Sequence, residues 1–336
     1  MYNSHRVSEL ALKILNGSSS SSSYCLADEE YRFLFEEWHG FYDDILYWAN
    51  RIRQRFKGNR VKLCSIVNAK SGMCSENCRF CAQSSSSRAS GVSIYPLLSK
   101  SGIVKTYENC ASRGLSSCFG IVAAGESPSE DEIKNIGDAI YEIKKKNAGV
   151  KVSASLGRLD FESLRYLKEK GLDVYHHNLE TSESFFENIC TTHSYKSKVG
   201  TLLNAKKASL ALCSGGIFGL GETPAQRFEM ACALRKINPD SIPLNFLNPI
   251  KGTEIFETAP RLAPREILSV VAAFRFVFPD KDIRVCGGRE VNLGDMQSWI
   301  FYAGANGMMT GGYLTTPGRS TDEDARMIKD LGLEVE

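Results

Sequence analysis

The chain has 336 residues, 43% of them hydrophobic, which is enough for one large domain or two modest ones. Its 41 basic and 39 acidic side chains leave a formal charge of +2 with both signs mixed, which argues against nucleic-acid binding. Eleven cysteines in a chain of this length do not make a small disulfide scaffold; they suit a reducing cytoplasm, where thiolates stay available for metal.

Residues 1–15 carry scattered charge without a long apolar core, so no secretory signal is expected. Gly17 and the serines at 18–23 form a low-complexity run that reads as a flexible linker between two short helical patterns. Residues 31–56 read as a helical segment with an aromatic face made by Phe33, Phe35, Trp38, Phe41, Tyr47 and Trp48. From there strand-like and helix-like patterns alternate. Strands are expected at 61–67, 115–122, 151–156, 173–178, 210–217, 241–247, 282–286 and 306–310. Helices are expected at 98–113, 130–146, 161–170, 195–208, 224–237, 264–276, 295–302 and 322–329, with a short helical piece at 184–187. The apolar stretch 267–278 is interrupted by Arg275 and is too short to span a bilayer.

Eight strands separated by helices predict the α/β class and a (β/α)8 barrel of the TIM type. An N-terminal helical extension with its linker takes residues 1–60 and the barrel takes 61–336. A doubly wound open sheet has less support, because no Gly-x-Gly-x-x-Gly follows the first strand. In a barrel of this kind the active site lies at the C-terminal ends of the strands.

The loop after the first expected strand holds Cys74, Cys78 and Cys81, spaced Cys-x3-Cys-x2-Cys, with Phe80 before the last. Thiolates are the usual ligands of iron–sulfur clusters, and a four-iron cluster held by three of them keeps one iron open for chemistry. Zinc is the weaker alternative, since its sites usually pair two Cys-x2-Cys elements and no second one exists here. The spacing resembles the signature of the radical S-adenosylmethionine enzymes. In that family the open iron chelates S-adenosylmethionine, and reductive cleavage yields a deoxyadenosyl radical.

From about Lys62 onward the chain resembles the biotin synthase family. The resemblance rests on Tyr175-His176-His177-Asn178-Leu179-Glu180-Thr181-Ser182, on Thr191-Thr192 and Tyr195, and on the run from Cys213 through Gly219-Leu220-Gly221-Glu222-Thr223. It continues in Pro243-Leu244-Asn245-Phe246-Leu247, Lys251-Gly252-Thr253, Arg284-Val285-Cys286-Gly287-Gly288-Arg289-Glu290, Ala303-Gly304-Ala305-Asn306 and the segment from Gly312 to Arg319.

The resemblance implies sulfur insertion into dethiobiotin, with two hydrogen abstractions by deoxyadenosyl radicals and sulfur taken from an auxiliary cluster inside the barrel. Neither C–H bond is acidic, so a cofactor must supply the radical. The resemblance also implies a flavodoxin- or ferredoxin-type electron donor, a homodimer and a cytoplasmic location, with no nucleic acid or membrane partner.

Residue by residue, it places Phe80 near the adenosyl group, Asn178 and Glu180 on the ribose, and Lys198 near the methionine carboxylate, where the family often has arginine. Asn245 matches an asparagine that binds the ureido group of the substrate. His176 replaces another asparagine there, as a substrate contact or as a packing residue. His177 and His193 could be ligands, although a satisfied structural histidine is the more common case; Cys25, Cys110, Cys190 and Cys232 are read as structural.

The chain departs from the family at the auxiliary cluster. The common set is three cysteines and one arginine; Cys118, Cys213 and Arg284 match three of these positions, but Ser153 stands at the fourth. Serine is a poor substitute for a soft thiolate. Cys64 and Cys286 offer compensating thiolates, Cys286 on the same strand face as Arg284. The expected auxiliary cluster is therefore four-iron, held by Cys64, Cys118, Cys213 and Cys286, with Cys213 and Arg284 as the catalytic residues beside the transferred sulfur. The alternatives are another radical S-adenosylmethionine enzyme of the same subgroup (a hydrogenase-cofactor maturase or a methylornithine-type mutase) and a two-cluster electron carrier.

Overall fold

The computed structural model describes residues 2–17, 26–112, 118–312, 314 and 318–336. The serine run at 18–23, Cys25, the first residues of the strand expected at 115–122, and Tyr313 and residues 315–317 of the closing segment lie outside the described residues.

Ten parallel strands follow in chain order: β1 Arg60–Lys70, β2 Cys118–Ala123, β3 Lys151–Ser155, β4 Val174–His176, β5 Ala211–Cys213, β6 Gly216–Phe218, β7 Ser241–Phe246, β8 Asp282–Val285, β9 Gly307–Met309 and β10 Glu334–Val335. Each of β1 to β4 pairs with the next, β5 and β6 both pair with β7, and β9 pairs with β8 and with β1, which closes the sheet into a barrel of eight staves. A barrel leaves no edge strand in the ring.

The fifth stave is broken. The single strand expected at 210–217 is β5 and β6, separated by Ser214 and Gly215. Here the backbone comes so close to β7 that a Cβ on Gly215 would lie 1.9 Å from Pro243 O, so only glycine fits. This stretch meets the chain leaving β4, where Ile217 N donates to Glu180 O at 2.8 Å and Leu179 N donates to Gly215 O at 2.9 Å. β10 lies outside the ring, parallel to the start of β1, and no pattern had suggested it.

The helices lie outside the ring and are capped by local chemistry. Helix Glu130–Lys146 opens with a capping box between Ser129 and Glu132, places three acids in its first turn and three lysines in its last, and so complements its own dipole at both ends. Helix Pro224–Ile237 starts from Thr223 and carries proline at its first position. The expected 295–302 helix is instead a 3-10 turn at Gly294–Met296 and a short helix at Trp299–Tyr302, preceded by a short helix at Arg289–Leu293 outside the expected range; Gly294, at φ 49°, ends that first helix.

The expected helix over 31–56 is also divided. Helix Asp28–Glu36 ends at Glu37, a single 3-10 turn spans Trp38–Phe41, and helix Tyr42–Lys57 follows. Gly40 sits in that turn, and the aromatic face wraps round it, with Phe33 stacked on Phe41 at 4.6 Å. Helices Asp28–Glu36 and Tyr42–Lys57 cover the outer face of helix Pro264–Val277, and helix Tyr2–Asn16 packs on Tyr42–Lys57 in turn. That is why every residue from Ile267 to Val277 is buried: the barrel covers one side and the extension the other. No helix among the described residues is long and apolar enough to cross a membrane.

Arg275, the interruption in that apolar run, is fully buried. Its guanidinium donates to the carbonyls of Gly304, Phe278, Pro279 and Lys281 and to Asn306 Oδ1. Burial without a carboxylate in hydrogen-bond contact pushes its pKa down to about 9.

The base of the barrel is tied by Asp282. One of its oxygens meets Lys57 at 2.6 Å and Asn306 Nδ2 at 2.9 Å, and the other meets Lys62 at 2.7 Å. Burial raises its pKa, but the hydrogen bonds from Lys57 and Lys62 outweigh this and hold it well below the usual carboxylate range. A carboxylate depressed in the folded state adds stability above its unfolded pKa and loses it as pH falls through the folded value. Asp282→Ala is expected to cost about 3 kcal/mol at neutral pH, because it strands two partly buried ammonium groups. Urea unfolding checks this; an unchanged midpoint would show that the lysines are already fully solvated.

Candidate active site

A cavity of about 380 Å³ runs along the barrel axis. Its walls include Cys64, Cys118, Ser153, Cys213, Arg284 and Cys286 from the strands and strand ends, and Asn178, Glu180, Asn245 and Phe80 toward the C-terminal mouth. Of the fourteen candidate site residues read from the sequence, only Lys198 and the cysteines of the 74–81 loop are absent from this lining.

The strand register explains the inner cluster. Cys64 and Cys118 are direct partners on β1 and β2, and Ser153 faces Gly120 on the next pair. Arg284 reaches across from β8 and donates through Nη1 to Cys64 Sγ at 2.8 Å. Cys118 Sγ lies 3.7 Å from Ser153 Oγ. Cys286 follows directly after β8, its N–H still bonded to Leu244 O at 2.9 Å. All four sulfurs are buried. Burial lowers and the three neighbouring thiols Cys64, Cys213 and Cys118 raise the pKa of Arg284, with a net rise that keeps it charged. Arg284 Nε is buried with no hydrogen-bond partner among the described residues. A guanidinium with an orphan donor, facing four buried sulfurs, fits an anionic sulfur-rich group.

The mouth of the cavity is built by the chain beyond β4. The strand ends at His176, two residues earlier than expected, so Asn178 and Glu180 share a face through loop geometry and not through strand alternation. Glu180 adopts φ 72°, a left-handed conformation that a β-carbon disfavours. It is held there by its backbone pairing with Gly216. Its Oε2 is buried without a hydrogen-bond partner among the described residues, an acceptor suited to hydroxyl donors. Asn178 Oδ1 accepts from Gly215 N at 3.2 Å and stands 3.0 Å from His176 Nε2.

His176 is half-buried beside Cys213. Burial lowers its pKa, but Cys213 and Glu180 raise it more. Asn245 is more committed than its sequence suggested. Its Nδ2 donates to Gly216 O at 3.1 Å and its Oδ1 accepts from Gly287 N at 2.9 Å, tying β7 to both neighbouring turns. One N–H and one lone pair of that amide remain for a ligand. Lys198 is buried, and its Nζ donates to Asn178 O at 3.1 Å.

The 74–81 loop crosses the mouth. Cys81 N bonds back to Cys78 O at 3.0 Å, and Cys74 N to Gln83 O at 3.1 Å, so the backbone of the loop doubles back on itself. Burial, and then the nearness of Cys74 and Glu180, push the Cys81 thiol up to about 11. The loop is pinned from outside by Asn77, whose Nδ2 donates to Thr191 Oγ1 at 2.7 Å and whose Oδ1 accepts from Thr191 N at 3.0 Å.

Sequence reasoning missed a second feature of this loop. Cys190, read as structural, has its sulfur 3.8 Å from Cys78 Sγ. His193 and Glu76 complete the group, with His193 Nδ1 at 2.6 Å from Glu76 Oε2. The only sequence signal for it is the Cys190-x2-His193 spacing.

Comparison with known proteins settles the family. Residues 70–234 match the Radical SAM superfamily model, and residues 243–334 match the Biotin and Thiamin Synthesis associated domain. The biotin synthase of Geotalea daltonii is 51% identical over 288 residues, covering 85% of this chain and 86% of the relative. The chain belongs to the biotin synthase family. The biotin synthase of Thermodesulfovibrio yellowstonii is also 51% identical, over 87% of this chain and 90% of the relative. Among solved structures, methylornithine synthase (PylB) superposes with a TM-score of 0.82 at 19% identity, over 97% of both chains. The FeFe-hydrogenase maturase HydG from Carboxydothermus hydrogenoformans gives 0.80 at 16% identity, over all of this chain and 80% of its own. These two show the shared barrel alone. Membership in the radical S-adenosylmethionine superfamily implies a 4Fe-4S cluster and S-adenosylmethionine as cofactors.

Proposed function

We propose that the protein inserts sulfur into dethiobiotin to form biotin, with residues 61–336 carrying the chemistry and residues 1–60 bracing the barrel from outside. Cys74, Cys78 and Cys81 hold the 4Fe-4S cluster; their spacing supports this, as does Phe80 of the same loop on the cavity wall. When bound, that cluster supplies the electron for reductive cleavage of S-adenosylmethionine. Asn178 and Glu180 receive the ribose hydroxyls, Phe80 covers the adenosyl group, and Lys198 contributes positive charge behind Asn178. Asn245 offers its remaining donor and acceptor to the ureido group, with His176 alongside.

The observation that carries the reading is the single cavity with a nucleoside-type acceptor pair at its mouth and four buried thiols around Arg284 at its depth. A carbon substrate lying between them is enclosed from water, so a hydrogen removed at the mouth leaves its carbon facing sulfur. In this reading Cys64, Cys118, Cys213 and Cys286 hold a four-iron auxiliary cluster as the sulfur donor, and Arg284 donates hydrogen bonds to it. The electron donor is of the flavodoxin or ferredoxin type, and the enzyme works as a homodimer in the cytoplasm.

The test is the reconstituted, reduced enzyme with S-adenosylmethionine, with and without dethiobiotin, analysed for 5′-deoxyadenosine and biotin. Deoxyadenosine without any biotin would overturn the substrate. Glu180→Ala is expected to weaken S-adenosylmethionine binding about tenfold or more, the value of one or two charge-assisted hydrogen bonds, while leaving dethiobiotin binding within about threefold. Asn245→Ala should do the reverse. Equal loss of both ligands in both variants would make these residues architectural.

A further inference from the structure

Cys190, His193 and Glu76 are not used by this chemistry, yet Cys190 and Glu76 are buried and His193 is half-buried beside Cys78, a ligand of the cluster proposed above. We infer that the cluster-free protein has a mononuclear site for a divalent transition metal, formed by Cys78, Cys190 and His193.

The distances match a tetrahedral ion. With metal–sulfur bonds of about 2.3 Å and metal–nitrogen bonds of about 2.0–2.1 Å, two ligands at the tetrahedral angle stand about 3.8 Å apart for S···S and about 3.6 Å for S···N. Cys78 Sγ and Cys190 Sγ are 3.8 Å apart. His193 Nε2 is 3.9 Å from Cys190 Sγ, and Nδ1 is 3.3 Å from it. The ligating atoms of all three side chains fall within 4.8 Å of one another.

Cys190 faces Nδ1 of His193, the nearer of the two ring nitrogens. In the metal-free protein Glu76 Oε2 takes Nδ1–H at 2.6 Å, so an ion here displaces that proton, binds Nδ1 and leaves the carboxylate beside it, where its charge favours a cation. Arg158 in turn holds the other Glu76 oxygen at 3.2 Å, and Phe186 packs edge-on to the imidazole at 5.5 Å. The histidine is thus oriented from two sides without the ion. Two thiolates and an imidazole suit zinc or ferrous iron, with the fourth position open.

Cys78 belongs to this site and, on the cluster reading above, to the 4Fe-4S cluster. One thiolate cannot serve both in these positions, so the two states exclude each other. Ferrous ion held here is delivered beside Cys74 and Cys81, whereas zinc here blocks assembly.

The test is titration of the cluster-free protein with cobalt(II), followed by thiolate-to-cobalt charge-transfer absorption. Cys190→Ser and His193→Gln are each expected to remove one equivalent from the total bound and leave the remainder unchanged. Glu76→Gln should weaken that equivalent about 10–100-fold. Added zinc should displace it more completely than added ferrous ion, following the order of divalent affinities. In the wild-type protein, loading the cluster beforehand should abolish the same equivalent. Equal cobalt uptake by wild type and both ligand variants would overturn the site, as would its persistence in the iron-loaded protein. Cys74→Ala, outside the site, reports separately: failure to load iron there with the cobalt equivalent intact supports both readings, and normal loading removes the cluster reading alone.

Discussion

Cys74→Ala is expected to abolish 5′-deoxyadenosine formation, lowering it at least about a thousandfold, a small part of the acceleration enzymes commonly provide. The loop carries its three cysteines on a backbone that doubles back on itself, with Cys74 held by its N–H to Gln83 O. Two thiolates do not retain four irons in register, and no other group in the loop supplies an electron. Dethiobiotin and S-adenosylmethionine have no polar route to the same cleavage, so there is no slower parallel path. The measurement is deoxyadenosine by chromatography from anaerobic, reconstituted variant. Cleavage at the parental rate would remove the loop from the mechanism.

Cys286→Ser is expected to lower the iron content and stop biotin formation while S-adenosylmethionine cleavage persists. The hydroxyl is smaller and harder than the thiolate, and iron–sulfur clusters prefer the softer donor. Cys286 is buried at the end of β8, on the cavity wall shared with Cys213 and Arg284 and away from the 74–81 loop. The two chemistries should therefore separate. Iron and sulfide analysis with Mössbauer spectra reads the first effect, and the ratio of deoxyadenosine to biotin reads the second. Full iron content and normal biotin yield in this variant would return Cys286 to an ordinary buried thiol.

Much of the barrel was legible because its strands alternate with helices at short, regular spacing, and each element carries its own local signals. The helix at Glu130–Lys146 was read to the residue, since its capping box and terminal charges mark both ends. The helix at Pro224–Ile237 was likewise bounded by threonine, proline and a left-handed Asn238. The break in the fifth stave was not legible. It lies where Gly215 packs so closely on Pro243 that no β-carbon would fit, a contact between residues far apart in sequence that meet only once the barrel closes.

The 74–81 loop and the family are matters of local spacing, and the amino-acid sequence alone determined both. It also determined that Ser153 cannot serve as a soft ligand and that Cys64 and Cys286 are available in its place. Only the tertiary structure decided which side chains share one cavity, because four thiols from different strands are brought together by ring closure, a non-local event. It decided that Asn245 spends half its amide on neighbouring turns, and that Glu180 reaches the mouth by a left-handed turn. It also decided that Cys190 lies beside Cys78. These two are separated by more than a hundred residues, and the contact exists because Asn77 is hydrogen-bonded to the backbone of Thr191 and Thr192.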